Sequence, residues 1–382
     1  MAIFEPNKLI IRLMKYNWQQ PDWREFRYSS TPEIEAALYE FAGKTGYVTG
    51  MLDAIPQDLQ QEVIIQIMVV EAMKTSAIEG EFLTRQDVIS SIRNKLGLPT
   101  PHHTFKDLSA AGAGELMVTV RDTYHQKLTK KMLFEWHHLL MQGNSHINIG
   151  AWRKGTSPMQ VISGSFGKET VHYEAPPSAS VAVEMSQFIQ WFKDTAPGGN
   201  KAIRNPAIRS AIAHLYFESI HPFEDGNGRI GRAIAEKALS QTVGRPVLLS
   251  LSQTIEADRK AYYQHLKSAQ RSNEITEWVH YFVTTILKAQ IEATQLVVFT
   301  LKKTKFVDLL RDKMNERQTK AILKMLDAGP EGFEGGMNAK KYMSITKTSK
   351  ATATRDLQDL LVMGAVIYIG GGGRSTHYAL NI

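Results

Sequence analysis

Apolar residues recur at three- and four-residue intervals along much of the chain, the period of one helix face. In residues 58–74, DLQQEVIIQIMVVEAMK, Val63, Ile64, Ile67, Met68 and Ala72 fall on one side of an amphipathic helix. The same spacing predicts helices at 129–142, 179–193, 228–241, 256–270 and 274–296. Asn205–Pro206 reads as a helix start, an N-cap with proline in the first turn, followed by an apolar face through Ile208, Ile212, Leu215 and Ser219. Between 155 and 173 the pattern changes. Two β-branched runs, Met159–Ile162 and Thr170–Tyr173, flank a Gly/Ser segment and predict a β-hairpin, which the double proline Pro176–Pro177 ends. Residues 97–106, GLPTPHHTFK, are turn-rich and read as a connection.

The last 80 residues have their own pattern. A helix at 316–327, a loose GPEGFEGG segment, a short helix near 338–343, a helix at 349–362 and two strands around four glycines follow one another. Helix, short helix, helix and hairpin is the element order of a winged helix-turn-helix. A boundary is expected at 297–305. The expected fold is mainly α, with a helical core carrying a β-hairpin flap and a C-terminal winged helix-turn-helix (α+β) domain. The expected domains are 1–100, 101–296 and 297–382.

Composition refines this picture. The chain has 382 residues, 43% hydrophobic and 22% charged, ordinary values for a folded protein. It has no cysteine, which excludes disulfides, thiolate metal sites and a cysteine nucleophile and fits a reducing cytoplasm. No apolar run of membrane-spanning length and no signal-peptide pattern are read, so no membrane partner is expected. The formal net charge of +7 is uneven. Residues 301–382 hold 14 Lys and Arg against 8 Asp and Glu, a net of +6, leaving +1 for the first 300. That places a candidate anionic partner at one end of the molecule.

The chemistry concentrates in His221–Arg232, HPFEDGNGRIGR. It contains a formal G-x-G-x-x-G, but a helix precedes it and no strand–helix alternation follows, so a dinucleotide-binding sheet is rejected. The local pattern still suits phosphate. Gly226, Asn227 and Gly228 lie just before an amphipathic helix, whose first N–H groups bind anions, and glycine lets the backbone approach closely. Arg229 and Arg232, three apart, share a helix face near that end. Asp225 among these donors suits a divalent metal held against phosphate oxygens. His221 can take a proton near neutral pH. Together these make a phosphoryl- or nucleotidyl-transfer set; taken singly, each residue reads better as part of a capped loop with arginines on a solvated helix face.

HPFEDGNGRIGR resembles the Fic family signature, H-P-F-x-[DE]-G-N-G-R-x-x-R, at every defining position. The resemblance implies transfer of AMP from ATP to a Ser, Thr or Tyr hydroxyl of a target protein. His221 would be the general base, Asp225 would hold Mg²⁺, and Gly226, Asn227, Gly228, Arg229 and Arg232 would bind the phosphates. Phe223 would anchor the loop in the core. Ile162, Ser163 and Gly164 sit where the family's flap approaches ATP, and Tyr262, Tyr263 and Gln270 resemble the adenine-side wall. Thr75-Ser-Ala-Ile-Glu79-Gly80 resembles the family's inhibitory motif. In it Glu79 would pair with Arg232 and displace the γ-phosphate, with Thr75 capping or bracing the helix.

In the C-terminal module, Lys350, Thr352, Arg355 and Arg374 are the candidate DNA contacts, with Lys340, Lys341 and Lys347 near enough for backbone phosphates. The alternatives are removal of AMP from a modified protein, transfer of another phosphate-containing group, and an ATP-sensing DNA-binding regulator. A homodimer is compatible with this reading, and the target protein is not legible.

Overall fold

The structure, a computed structural model, describes residues 15–99, 107–144, 146–163, 170–330, 332–370 and 376–382. In chain order the helices are α1 (Pro32–Asp53), α2 (Gln57–Ile78), α3 (Arg85–Lys95), α4 (Leu108–Asp122), α5 (Lys130–Leu140), α6 (Val181–Asp194), α7 (Pro206–Ile220), α8 (Asn227–Val243), α9 (Leu251–Ala257), α10 (Arg259–Ala269), α11 (Thr276–Leu310), α12 (Glu316–Leu326), α13 (Ala339–Thr346) and α14 (Lys350–Val362). Strands β1 (Gln160–Ser163) and β2 (Thr170–Glu174) pair antiparallel, as do β3 (Val366–Gly370) and β4 (His377–Leu380). The chain divides into two units, one of residues up to Met51 with Ile64–Ile291, the other of Leu52–Val63 with Glu292–Ile382. The divisions fall inside α1, α2 and α11 and do not separate residues 1–100.

In the first unit α7 is buried on every side, its polar residues Arg209, Ser210, His214, Glu218 and Ser219 included. The single apolar face expected of it is therefore only part of what it buries. Asn205 caps it, its side chain accepting from the N–H groups of Ala207 and Ile208, and Pro206 occupies the first turn. Around α7 and α8 lies a core of Val69, Val118, Leu133, Trp136, Phe188, Phe217 and Ile234.

Four helices not expected from the sequence, α1, α3, α4 and α9, belong to this unit in whole or large part. Gly112 in α4 explains one of them: a Cβ there would come within 1.9 Å of the Leu139 carbonyl oxygen in α5. Its neighbour Gly114 faces Ser91 of α3, whose hydroxyl donates to the Ala111 carbonyl at 2.6 Å. The small residues that weaken a helix pattern are what let α3, α4 and α5 approach.

The hairpin is tied to the core through β2. Tyr173 is buried and its hydroxyl donates to the Ser219 carbonyl at 2.6 Å. The register shifts between Val161 and Ile162. Helix α11 amends the expectation about apolar length. An 18-residue window in it reaches a mean hydropathy of 1.2 and 44% of that window is buried inside the fold. Trp278, Val279, Phe282, Val283 and Ile286 are almost wholly enclosed, as in a core helix.

The second unit has its own core, including Ile322, Met325, Tyr342, Leu357, Leu360 and Val366. Buried Asp356 on α14 receives Arg317 Nε at 2.9 Å and the Tyr342 hydroxyl at 3.0 Å, linking the three helices α12, α13 and α14.

Candidate active site

α7 ends at His221, which adopts a left-handed conformation (φ 51°) and closes the helix by donating its N–H to the Phe217 carbonyl at 3.0 Å. A histidine at positive φ is uncommon and must be held by its surroundings. Arg153, absent from the sequence-based site, does this. Its Nε donates to the His221 carbonyl (2.7 Å), and its Nη groups donate to the carbonyls of Pro176 (2.5 Å) and Ile220 (3.3 Å) and to Ser178 Oγ (2.9 Å). Its own N–H donates to the Pro222 carbonyl at 2.9 Å. Burial pulls the Arg153 pKa down to about 10, so it stays charged at neutral pH.

The loop after His221 closes on itself. Phe223 N–H donates to Asn227 Oδ1, and Asn227 Nδ2 donates to the Phe223 carbonyl, both at 2.9 Å. Phe223 is fully buried and stacks on the His137 ring, centroids 4.1 Å apart. His137 Nδ1 accepts from Gly150 N–H (2.9 Å), so Nε2 carries the proton and donates to the Asp225 carbonyl (3.2 Å). Gly226 takes φ +79° at the N-cap of α8 and, having no side chain, makes no capping hydrogen bond, so this helix start has no side-chain cap. The first N–H groups of α8 are thus left for an anion.

A cleft of about 570 Å³ is lined by His221, Asp225, Gly226, Asn227, Gly228, Glu79, Ile162, Tyr262, Tyr263 and Gln270, with Gln160, Val161 and Glu218. Most of the residues singled out in the sequence therefore meet in one place. Ser163 ends β1, and Gly164 lies outside the described residues. Tyr262 is buried, its hydroxyl 2.8 Å from His214 Nε2, whereas Tyr263 is 40% exposed. Gln270 is buried and donates to the Glu218 carbonyl at 3.2 Å, bracing the end of α7.

Neither Arg229 nor Arg232 lines the cleft, and Arg232 meets Glu79 as the inhibitory motif implies. Arg232 is buried, and its Nε donates to Thr75 Oγ1 (2.7 Å) while Nη2 donates to the Thr75 carbonyl (2.9 Å) and to Glu79 Oε1 (2.7 Å). Thr75 thus braces the arginine rather than capping a helix. Burial opposes the charge on Arg232, yet Glu79 beside it holds its pKa above the ordinary value. Arg229 pairs with Glu81, a residue the motif reading missed, and faces a second cavity of about 690 Å³ that Glu79 and Asp225 also border. Between the two acids Gly80 takes φ +85°, a turn that glycine permits.

His221 is enclosed, and burial with Arg153 nearby lowers its pKa to about 4, leaving it a neutral imidazole at pH 7. Glu218 lies one turn earlier on α7, its Oε2 3.7 Å from His221 Nδ1, and burial raises it to about 8. Among the described residues no group of three or more His, Asp and Glu is gathered to hold a metal. The side chain of Asp225 is 55% exposed. In the second unit Lys350 and Arg355 are exposed and Thr352 is half-buried on the first turns of α14, while Arg374 lies outside the described residues. Lys341 is drawn inward: its Nζ donates to the carbonyls of Glu334 and Gly336, the latter at 3.0 Å.

A helical fold, a closed loop over an uncapped helix N-terminus and a histidine at its rim define the class, and residues 127–239 match the Fic/DOC family: the chain carries a Fic/DOC domain. Residues 16–98 match a domain of unknown function, DUF4172. A protein adenylyltransferase Fic of Nematostella vectensis is 26% identical over 200 residues, 51% of this chain and 42% of the relative. A protein adenylyltransferase fic-1 of Caenorhabditis briggsae is 24% identical over 199 residues, 51% of this chain and 35% of the relative. The chain therefore matches less than half the length of these relatives. The crystal structure of a Fic family protein from Desulfovibrio desulfuricans G20 shares the fold, with a TM-score of 0.52 and 21% identity over 92% of this chain and 97% of that one.

Proposed function

We propose that this protein transfers AMP from ATP to a hydroxyl of a target protein, and that Glu79 holds it in a restrained state. The observation that carries this reading is the cleft itself, which gathers a neutral His221, the carboxylate of Asp225 and the uncapped start of α8 while Glu79 occupies Arg232. His221 accepts the hydroxyl proton, and the α8 N–H groups bind phosphate oxygens where negative charge builds. Arg229 and Arg232, once released from Glu81 and Glu79, extend that anion site along the polyphosphate.

Asp225 would hold Mg²⁺ together with nucleotide oxygens. A single half-exposed carboxylate suits an ion that takes most of its ligands from phosphate and water. When bound, the ion supplies charge neutralisation on the phosphates. Tyr263 and the wall around Tyr262 suit the adenine ring. β1 pairs with β2 along one edge, and its other edge suits an extended target segment. The C-terminal unit reads as a winged helix, with Lys350 and Arg355 as its exposed cations for DNA; retention on nonspecific duplex that weakens with salt tests this.

The enzyme reading is tested by mass analysis after incubation with ATP and Mg²⁺. Wild type is expected to gain little AMP, Glu79→Gly substantially more, and the double variant Glu79→Gly/His221→Ala none. No AMP adduct on Glu79→Gly or on any protein of a cell lysate would overturn it. A DNA shift that responds to ATP without an adduct would favour the sensor instead.

A further inference from the structure

The buried end of α7 carries a carboxyl group that the transfer chemistry above does not use. Glu218 is 5% exposed, and its Oε1 has no hydrogen-bond partner. His221 Nδ1 is likewise buried without one, and Glu218 Oε2 lies 3.7 Å from it. Two unmatched polar groups so close, away from water, are each costly alone and cheap together. The separation is slightly longer than a hydrogen bond, as catalytic contacts are before substrate tightens them.

A second feature makes room for this carboxyl. Gly231 lies inside α8, where its backbone needs no glycine and where glycine costs about 1 kcal/mol against alanine. A Cβ at Gly231 would come within 2.2 Å of Glu218 Oε1 and 3.2 Å of His214 Cε1. The helix gives up a methyl group at the one place where it would displace Glu218 from beside His221.

We propose that Glu218 is a positioning residue for His221, accepting the Nδ1 proton so that Nε2 keeps its lone pair toward the cleft. The inference rests on the transfer reading above. In that reaction the target oxygen bonds to the α-phosphorus and the bond to pyrophosphate breaks. The hydroxyl proton passes to Nε2, and the resulting imidazolium has the Glu218 carboxyl at its other nitrogen. The groups facing Glu218 are Arg232 on α8, Glu79 after α2, and His214, His221 and Tyr262 on α7 and α10. The Glu218 main-chain carbonyl also faces the imidazole; it accepts from Gln270 and has a second lone pair for Nδ1, so it is the competing acceptor that the test below must separate from the side chain.

The test uses the full chain with ¹⁵N-labelled histidine, and again in the Glu79→Gly background with ATP and Mg²⁺. Nitrogen shifts are expected to show His221 protonated at Nδ1 in wild type, mixed tautomers in Glu218→Ala, and recovery of the Nδ1 form in Glu218→Gln, whose amide oxygen still accepts. Turnover is expected to fall on the order of 10²-fold in Glu218→Ala with KM for ATP little changed, the pattern of a mis-set imidazole. Gly231→Ala, which removes no titratable group but sets a methyl against Glu218 Oε1, is expected to mix the tautomers as well. An unchanged tautomer in Glu218→Ala would overturn the inference and leave the main-chain carbonyl as the orienting acceptor. Failure of the transfer reading is separate: it would show as an absent adduct, while the nitrogen shifts still decide the role of Glu218.

Discussion

The buried guanidinium of Arg232 meets the partly exposed carboxylate of Glu79 at 2.7 Å, with Thr75 taking two further donors of the same group. The neighbouring acid, Glu81, takes Arg229. One turn, Glu79-Gly80-Glu81, therefore holds both arginines of the anion site.

Releasing Glu79 alone leaves Arg229 paired. Glu81→Gln added to Glu79→Gly is expected to raise the initial rate of labelled AMP incorporation roughly 3–10-fold above the single variant, the scale of one charge-assisted hydrogen bond. Equal rates would show that Arg229 is not restrained by Glu81.

Arg153 fixes the carbonyls of Pro176, Ile220 and His221 with one planar group, which no other side chain reproduces. Arg153→Gln is expected to lower stability by about 2–4 kcal/mol in urea unfolding, the range for breaking a buried charged network. It removes a positive charge beside His221, so the imidazole is expected to titrate above about 4. A His221 titration that stays in place would contradict this account.

Burial lowers His214 to about 3, far below its value in the unfolded chain, with Arg232 also opposing its charge. The unfolded chain therefore binds the extra proton first, and His214 contributes stability above about pH 6.5 that is lost as pH falls toward about 3. The slope is at most about 1.4 kcal/mol per pH unit. His214→Phe, which strands the Tyr262 hydroxyl, is expected to be less stable than wild type at pH 7, with the gap closing on acidification. Unfolding midpoints at several pH values check this, and a constant gap would refute it.

The element pattern was legible where periodicity was strong, as in α5, α6, α8 and the hairpin strands. It failed for α3 and α4, where the small residues Ser90, Ser91, Gly112 and Gly114 interrupt the apolar period. Ser91 and Gly112 are small because another helix passes against them, and that reason lies outside their own segment.

The loop from His221 to Arg232 was readable because its geometry is local. Asn227 closes the loop on Phe223 four residues away, and Gly226 provides the positive φ that starts α8. The sequence by itself determined that loop and the acid at Glu79. The motifs also paired Glu79 with Arg232. Only the tertiary structure brought in Arg153, His137 and Glu81, the last of them against Arg229. Those contacts span 68, 88 and 148 residues. A charged side chain far away in sequence carries no local period to mark it. It becomes part of the site only when folding buries it and leaves it one partner to satisfy.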